Sequence, residues 1–545
     1  MTALNFKHLG YYVVTVVLLL IAADVPRSRF VAQSTIASKQ NQIDQLLSEG
    51  ISALERNELP IARKNFEQVL LLDPKQVLAH TYLGLIADKS GNLNDAERHF
   101  AIAAQLDPSA PATRNNLGAV LLKLGKPQPA AVQFEASLRL NQNQPNALVN
   151  LAQIRFASGT AKDLLEANDL FVRAYTLAPD VEIARALVVI ALQRGDQTTA
   201  AKYFAEYQAG AQAQPTAQRA ELGGALLQAG MFREATVELN AAVTAEPANV
   251  ESILRLANAY LGLKDIPAAG RTLESAVSRG VETAAIYALL ASVYEQSGHV
   301  ENAIPAMRLA IERDPQSERY RFSYGLLLTN AFAPDAAVIR LKEALELFPN
   351  SARLWVAMGI AHFKAGRNAE ARTALTHAIE LDPKFAPSFA YLGMTSVEIG
   401  DYNQAIKSYE QALAVDAKLG VVHYLIADVM LKQSNADANS QTIETHLSRA
   451  TELEPNFAPA RLALGKLYLR TNRAADAVVQ LEQAIKLDAN LAEAYYQIGR
   501  AYTKLKRTAD AQNVLATFKR LSDSQKEQEL KDRKDIVRRL ADVRF

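Results

Sequence analysis

Small and large apolar residues recur along the chain with a step of 34 residues. A first small residue is followed 12 positions later by a second, usually alanine. A large apolar residue comes four positions after that alanine, as Phe100 follows Ala96 and Leu341 follows Ala337. Each period has room for two helices, so the pattern predicts units of two antiparallel helices. The first small residues are Gly50, Gly84, Gly118, Ala152, Gly223, Ala257, Ala291, Gly325, Gly359, Gly393, Ala427, Gly465 and Gly499.

Glycine inside a helix costs about 1 kcal/mol relative to alanine, so its recurrence requires a compensating contact. Gly393 falls in the first helix of its unit and Ala405 in the second. We expect small side chains at both places to let the two helix backbones approach closely. We expect the large apolar residue to fill the layer between neighbouring units. Other glycines fall at the turn inside the unit, where a positive φ favours glycine: Gly91, Gly125, Gly230, Gly298, Gly366 and Gly400.

A 34-residue period with these small residues, an alanine near the end of the second helix and a proline after it resembles the tetratricopeptide repeat. The unit that begins near Trp355 agrees well with the family pattern, with Gly359, Ala371, Ala378 and Pro383 in place. The resemblance covers about 14 units over residues 43–520. It implies an all-α fold, a right-handed superhelical solenoid of helix-turn-helix repeats whose first helices line an inner groove.

The N-terminus differs from the repeats. Residues 9–23 form an uncharged apolar run, which is short for a membrane-spanning helix and is typical of a signal-peptide core. Residues 1–34 are therefore predicted to be a signal peptide, and the alternative is an uncleaved anchor; residues 35–42 are predicted as a short linker. The first reading places the mature protein in the periplasm or outside the cell. The alternative anchors it to the inner membrane, with membrane contact only through residues 9–23.

The C-terminal residues 521–545 lack the repeat pattern and are rich in charged residues of both signs. Repeat arrays need a polar end cap, so this segment is predicted to be a charged capping helix. The alternative is a helix that contacts a membrane or a partner. Two units are longer than 34 residues, and one of them contains an insertion at residues 432–444. Such an insertion is either a tolerated loop or part of a functional face.

Composition and motifs exclude several kinds of chemistry. The net charge of +1 argues against nucleic-acid binding driven by bulk charge. The absence of cysteine excludes disulfides, thiolate zinc sites and cysteine nucleophiles. The eight histidines show no metal-ligand spacing, although His80 and His423 occupy equivalent places in their units. No catalytic constellation is found, so we predict a protein that is not an enzyme and has no metal or cofactor.

The family resemblance implies which side chains line the groove. Asn116 and Asn150 occupy the same place in adjacent units, where an amide could bond the backbone of an extended peptide. Later units carry aromatic and aliphatic residues instead, which suit a hydrophobic or helical partner segment. Each candidate could equally pack against neighbouring repeats. The full set is Tyr82, Asn116, Asn150, Phe156, Arg255, Asn258, Phe322, Phe363, Tyr391, Met394, Tyr424 and Tyr496.

These features predict a non-catalytic scaffold on the extracytoplasmic side of a membrane, which binds segments of partner proteins or peptides in its groove. The alternative is a regulatory or substrate-recruiting subunit of an enzyme for envelope biogenesis or polysaccharide export. A third hypothesis, from another class, is a hydrolase or transferase with an unfamiliar site. The processes named here rest on analogy, because a fold does not by itself define a function.

Overall fold

The computed structural model describes residues 27–433 and 438–522, with side-chain surroundings from residue 38 onward. All regular elements in these residues are helical, and consecutive helices pack in pairs, which confirms the predicted all-α class and its helix-turn-helix repeats. The apolar run 9–23 and nearly all of the C-terminal segment 521–545 lie outside the described residues. Among the helices that are described, none is both long enough and apolar enough to span a membrane.

The chain divides into two compact units, Met1–Asp265 and Ile266–Phe545. In the first unit, the first six odd-numbered helices each pack against the even-numbered helix that follows, and most of those even-numbered helices also pack against the first helix of the next repeat. The helices of the first unit are α1 Arg27–Glu55, α2 Leu59–Leu72, α3 Val77–Lys89, α4 Leu93–Leu106, α5 Pro111–Lys123, α6 Pro127–Leu140, α7 Pro145–Ser158, α8 Ala161–Leu177, α9 Val181–Gln193, α10 Gln197–Gln208, the 3-10 helix η1 Ala211–Ala213, α11 Thr216–Gln228, α12 Phe232–Ala245 and α13 Val250–Gly262.

The second unit repeats the arrangement. Odd-numbered helices again come first in each repeat and pack against the following even-numbered helix. The helices are α14 Ile266–Ser278, α15 Ala284–Gln296, α16 Val300–Arg313, α17 Glu318–Asn330, α18 Pro334–Leu347, α19 Ala352–Lys364, α20 Asn368–Leu381, α21 Ala386–Ile399, α22 Tyr402–Val415, α23 Gly420–Lys432, α24 Ser440–Leu453, α25 Ala458–Arg470, α26 Ala474–Leu487, α27 Ala492–Lys504 and α28 Thr508–Ser522.

The repeated helix glycines make room for a large side chain. A Cβ atom on Gly118 would lie 2.7 Å from the ring of Phe134, and one on Gly393 would lie 2.5 Å from the ring of Tyr409. The large residue of the second helix thus covers the glycine of its own repeat, whereas the prediction placed it in the layer between neighbouring units. The contact offsets the propensity cost because it buries the side chain almost completely. The same contact joins Gly50 to Phe66, Gly84 to Phe100, Gly223 to Leu239, Gly325 to Leu341, Gly359 to Leu375, Gly465 to Leu481 and Gly499 to Leu515.

The turn glycines have the predicted left-handed backbone. Gly125 has φ +72°, Gly400 has φ +85°, and the other four predicted turn glycines also have positive φ. Some repeats place a different residue at this turn, for example Asn57 with φ 59° and Lys506 with φ 60°. The turn is therefore a property of the repeat, and glycine is the residue that adopts it at least cost.

The start of the array differs from the prediction. Residues 35–42 were expected to form a linker, but α1 runs without interruption from Arg27 to Glu55 and includes them. The reason is that this stretch contains no proline or glycine to end a helix. Ile43, the predicted first residue of the array, is buried in the core. Part of the insertion at residues 432–444 lies in α23 or α24, and residues 434–437 are outside the described part of the chain.

Candidate peptide-binding groove

A recurring polar contact orients the first helix of several repeats. Arg114, at the fourth position of α5, donates to the carbonyl oxygen of Pro108 at 3.2 Å and also reaches Gln133 on α6. Arg461 makes the same pair of contacts, with the carbonyl of Pro455 at 3.0 Å and with Gln480 on α26 at 3.3 Å. We call this pair of side chains, one at the fourth position of the first helix and one on the second helix, the clasp.

The first unit contains a group of amides on two consecutive first helices. Asn116 lies on α5 and Asn150 on α7, and both side chains are half-buried. Beside them, Asn115 Oδ1 and Gln153 Nε2 are buried and have no hydrogen-bond partner among the described residues. A buried amide atom without a partner costs about 1–3 kcal/mol, so this surface favours an incoming donor and acceptor. We call these four residues the amide region.

The other candidates in the first unit are partly engaged by the protein itself. The ring of Tyr82 stacks on Phe66, with centroids 5.0 Å apart, and burial raises the pKa of Tyr82. Phe156 packs against the hydrophobic core. Arg255 forms an ion pair with Glu251 on the same helix. Asn258 is exposed, and its amide donates to the carbonyl of Leu254, one turn earlier, at 2.8 Å. None of these contacts indicates which ligand, if any, the four side chains would bind.

Four candidates in the second unit are not accessible surface. Phe322 is 7% exposed, Phe363 8%, Tyr391 1% and Met394 9%, and each belongs to a cluster of buried apolar side chains. Their burial agrees with the alternative that these four side chains pack against neighbouring repeats, and a binding role for them stays a prediction. The physical reason is that large apolar side chains gain free energy by leaving water, about 1.5–3 kcal/mol each. We call these four residues the aromatic region. Helix α21 carries two of them and is buried along residues 386–396.

Two candidates in the second unit remain partly exposed. Tyr424 is half-buried, with its ring edge-on to Phe457 at 5.1 Å between centroids. Tyr496 is 38% exposed, lies 5.2 Å from the ring of Phe518 and has the Arg500 guanidinium 5.9 Å from its ring centroid. The predicted residues therefore differ in their surroundings from one unit to the other. The structure places adjacent amides in the first unit and mostly packed aromatics in the second.

A buried ionic cluster was missed by sequence reasoning. Glu238, with 0% exposure, accepts hydrogen bonds from Arg219 at 2.9 and 3.2 Å and from the Tyr207 hydroxyl at 3.0 Å. Burial, with the adjacent Glu238 carboxylate, raises the pKa of Tyr207 far above its usual range. Arg219 and Glu238 are spaced like the other clasps, and that spacing was the signal available in the sequence. Because all three groups satisfy one another, the cluster is structural. Within the described residues, no group of three or more potential metal ligands is found.

Family models for the tetratricopeptide repeat match residues 47–111, 226–293, 284–317, 328–392, 386–419 and 462–515, which together make up more than half of the chain. The chain belongs to the tetratricopeptide repeat family. These proteins act generally as scaffolds that bind other proteins. No curated protein sequence matches the chain significantly.

Several solved structures are similar to this chain. Yeast Tom70 is 14% identical, with 80% of this chain and 97% of that chain covered and a TM-score of 0.44. The Cut9 and Hcn1 hetero-tetramer of the APC/C is 16% identical, covers 91% of this chain and 96% of that chain, and has a TM-score of 0.37. PilF of Pseudomonas aeruginosa is 22% identical over 38% of this chain and 93% of that chain, with a TM-score of 0.33.

Proposed function

We propose that this protein is a non-catalytic scaffold that binds an extended segment of a partner protein along the amide region of its first unit. The observation that carries the proposal is the pair of buried amide atoms without a partner, Asn115 Oδ1 and Gln153 Nε2, beside the half-buried Asn116 and Asn150. These side chains lie on α5 and α7, the first helices of two adjacent repeats. In tetratricopeptide repeat proteins, the first helices line the groove that binds partners.

The chemistry of the amide region fits a peptide backbone. Each amide offers one acceptor oxygen and two donor hydrogens, which match the carbonyl and the N–H group of an extended chain. Such bonds contribute about 0.5–1.5 kcal/mol each and make no demand on the side chains of the partner. None of the four residues is charged, so an acidic terminus is not specifically favoured. The scaffold would therefore select a partner by its extended conformation and by contacts outside the amide region.

The location of the scaffold is part of the proposal. The uncharged run at residues 9–23 supports export across a membrane, with the mature protein in the periplasm or secreted, or anchored to the inner membrane if the run is retained. Cell fractionation and N-terminal sequencing of the native protein distinguish these outcomes. A mature N-terminus after residue 23 or near residue 34 supports export with cleavage. An intact N-terminus in the cytoplasmic fraction would contradict the extracytoplasmic assignment.

Binding can be tested without a known partner. A phage-displayed library of random dodecapeptides is selected against the purified array, and one selected peptide is synthesised with a fluorescent label. Its Kd is measured by anisotropy for the wild type and for the double variant Asn115→Ala and Gln153→Ala. Loss of two to four amide bonds should raise the Kd at least about fivefold. Methylation of the peptide backbone nitrogens should weaken binding to the wild type by a similar factor.

The matched control is Asn240→Ala, the same chemical change on an exposed residue of the second helix α12. Its Kd should equal that of the wild type, and circular dichroism should show the same helix content for all variants. Equal peptide affinity in the double variant and the wild type would overturn the assignment of the binding surface. Turnover of a substrate by the purified chain would overturn the proposal that the protein is non-catalytic.

A further inference from the structure

Two histidine pairs occupy the clasp position, one pair in each compact unit. His80 on α3 and His99 on α4 have their Nδ1 atoms 3.0 Å apart. His423 on α23 and His446 on α24 have theirs 2.9 Å apart. The two pairs also share their ring geometry, with centroids 5.3 and 5.2 Å apart and ring planes inclined by 40° and 44°. The duplication indicates one device used twice.

The hydrogen bonds determine the protonation state of the first pair. His80 Nε2 lies 3.1 Å from the carbonyl oxygen of Pro74, which only accepts, so His80 carries its proton on Nε2. The Nδ1 of neutral His80 is then an acceptor, and His99 donates from its own Nδ1. The Nε2 atom of His99 is left without a proton. For His423, the backbone of Ala417, six residues earlier, acts against the lowering of the pKa of the ring.

The same geometry argues against a bound metal ion. The ring centroids of His80 and His99 are farther apart than their Nδ1 atoms, by about the width of one ring. Each Nδ1 lone pair is therefore directed at the other nitrogen, as in a hydrogen bond. A chelated metal would need the two lone pairs to converge on a third point. Neither pair belongs to a larger group of metal ligands in the described residues.

We propose that the two histidine clasps are acid-operated release points, which hold repeats α3–α4 and α23–α24 closed when neutral and loosen them when both rings of a pair carry a proton. Other repeats hold the same position with arginine and glutamine, as in Arg114 and Gln133. Neither of those side chains changes its charge in acid, because arginine stays protonated and the glutamine amide does not titrate. The histidine repeats are therefore distinguished by their response to pH.

The proton count gives the mechanism. The neutral pair His80–His99 shares one proton between its two Nδ1 atoms. Protonation of His99 at Nε2 alone leaves the hydrogen bond between the rings intact. Protonation of both rings, in either order, puts a proton on His80 Nδ1 as well, so each of the four ring nitrogens then carries one. Two N–H groups and two positive charges then face each other at 3.0 Å, so the rings separate and the clasp opens.

The surroundings oppose protonation of His99, His423 and His446. Burial, followed by the charges of His80 and Arg98, lowers the pKa of His99 to about 4, with Arg63 on α2 adding to the effect and Asp95 opposing it. Burial, followed by His446 and Arg449, lowers the pKa of His423 to about 4. Burial also lowers the pKa of His446, which Glu410 on α22 opposes. The two clasps thus lie in similar environments of burial and nearby arginine.

The sign of the pH effect follows from these shifts. Histidine in an unfolded chain has a pKa near 6.5. Between about pH 6.5 and pH 4, the opened repeat binds more protons than the closed one. The closed repeat therefore loses stability as the pH falls. Above about pH 6.5 both forms are neutral, and the histidine clasps add no pH dependence. The stability of repeats that are held by an arginine and a glutamine should not change over this pH range.

Hydrogen exchange of the full chain tests the proposal. Protection factors, corrected for the intrinsic pH dependence of exchange, are compared at pH 7.5 and pH 4.5. Protection in α3–α4 and α23–α24 should fall at least tenfold more than in α5–α6 or α25–α26. The variant His80→Arg, His99→Gln, His423→Arg, His446→Gln places the clasp of the neighbouring repeats at both positions. It should keep its protection at pH 4.5.

The reciprocal exchange separates a proton effect from a purely structural role. The variant Arg114→His with Gln133→His should give α5–α6 the acid response that the wild type lacks there. Equal changes in protection for all repeats of the wild type would overturn the proposal. So would a reciprocal variant that folds at pH 7.5 but keeps full protection of α5–α6 at pH 4.5. If the fourfold variant does not fold, the wild-type and reciprocal measurements decide the question alone.

Discussion

The amide region of the first unit and the aromatic region of the second unit occupy first helices of the same kind of repeat. In the amide region, Asn116 and Asn150 stay half-buried and the neighbouring amide atoms of Asn115 and Gln153 lack partners. In the aromatic region, every side chain is less than a tenth exposed. The repeat therefore determines on which helix a residue lies. The chemistry of the side chain determines whether that position is at the surface or in the core.

The physical origin of the difference is the cost of removing polar atoms from water. An amide can be buried at low cost only where each of its polar atoms finds a partner, and short asparagine side chains do not reach one here. A tyrosine or methionine gains free energy by lying on apolar neighbours. One conclusion is that an aromatic residue at a groove position of this chain can be part of the core, so its presence there does not by itself indicate a binding surface.

The largest effect expected from this comparison is that of Tyr391→Ala on stability. Removal of a fully buried aromatic side chain should cost about 3–5 kcal/mol of the free energy of unfolding of α21 and its neighbours. Asn150→Ala, on α7, should change the stability of its repeat by less than about 0.5 kcal/mol. Native-state hydrogen exchange measures both, because it resolves individual helices. Similar costs for the two variants would show that the regions do not differ in burial.

The next largest effect tests whether the amide region and the aromatic region have the same backbone packing within their repeats. An added methyl at Gly118 or Gly393 would meet a ring at 2.7 or 2.5 Å. Overpacking costs about 1–3 kcal/mol, which exceeds the gain of about 1 kcal/mol in helix propensity, so Gly118→Ala and Gly393→Ala should both destabilise. Gly270→Ala is the control, since its nearest neighbour is 3.4 Å away, and it should stabilise by about 0.5–1 kcal/mol. Urea unfolding midpoints rank the three variants.

Turn glycines should give a smaller and equal effect in the two regions. Gly125 follows α5 and Gly400 follows α21, both have a left-handed backbone, and a Cβ at either would meet no atom within 4 Å. Gly125→Ala and Gly400→Ala should each cost about 1 kcal/mol, through backbone conformation alone. Thermal denaturation followed by circular dichroism checks the equality. A cost confined to one of the two turns would contradict a common turn geometry.

The smallest effect concerns a polar contact between first helices. Lys123 on α5 pairs with Asp88 on α3 at 2.6 Å, and both side chains are partly exposed. Asp88→Asn should lower stability by less than about 1 kcal/mol, because water screens such a pair. The difference from the wild type should vanish at about 1 M salt. A larger loss that persists in salt would mean that the first helices of the amide region depend on charge for their spacing.

Much of the fold could be predicted from residue spacing. The helix glycines, the turn glycines and the two-helix unit were all predicted, and the structure confirms them because each depends on contacts within one repeat. Phe134 covers Gly118 within its own repeat, whereas the prediction placed this large residue between neighbouring units. Helix α1 runs through residues 35–42, and the linker there stays a prediction.

The candidate site could be predicted less well. The sequence placed Asn116 and Tyr391 at equivalent positions, but it did not show that one would stay half-exposed and the other would be buried. It placed His80 and His423 at equivalent positions without their partners His99 and His446. Which side chain of the second helix contacts a given residue of the first depends on side-chain rotamers and on the geometry of the turn between the helices. A periodic sequence pattern gives neither.

The sequence by itself determined the class of this protein, because a repeat with a fixed step must bury the same positions in every copy. Only the tertiary structure decided which of the equivalent positions become core, which keep polar atoms without partners and which histidines face each other. These outcomes depend on the free energy of dehydrating each side chain in its own surroundings. Those surroundings are formed by the second helix and the next repeat, which come together only when the chain folds.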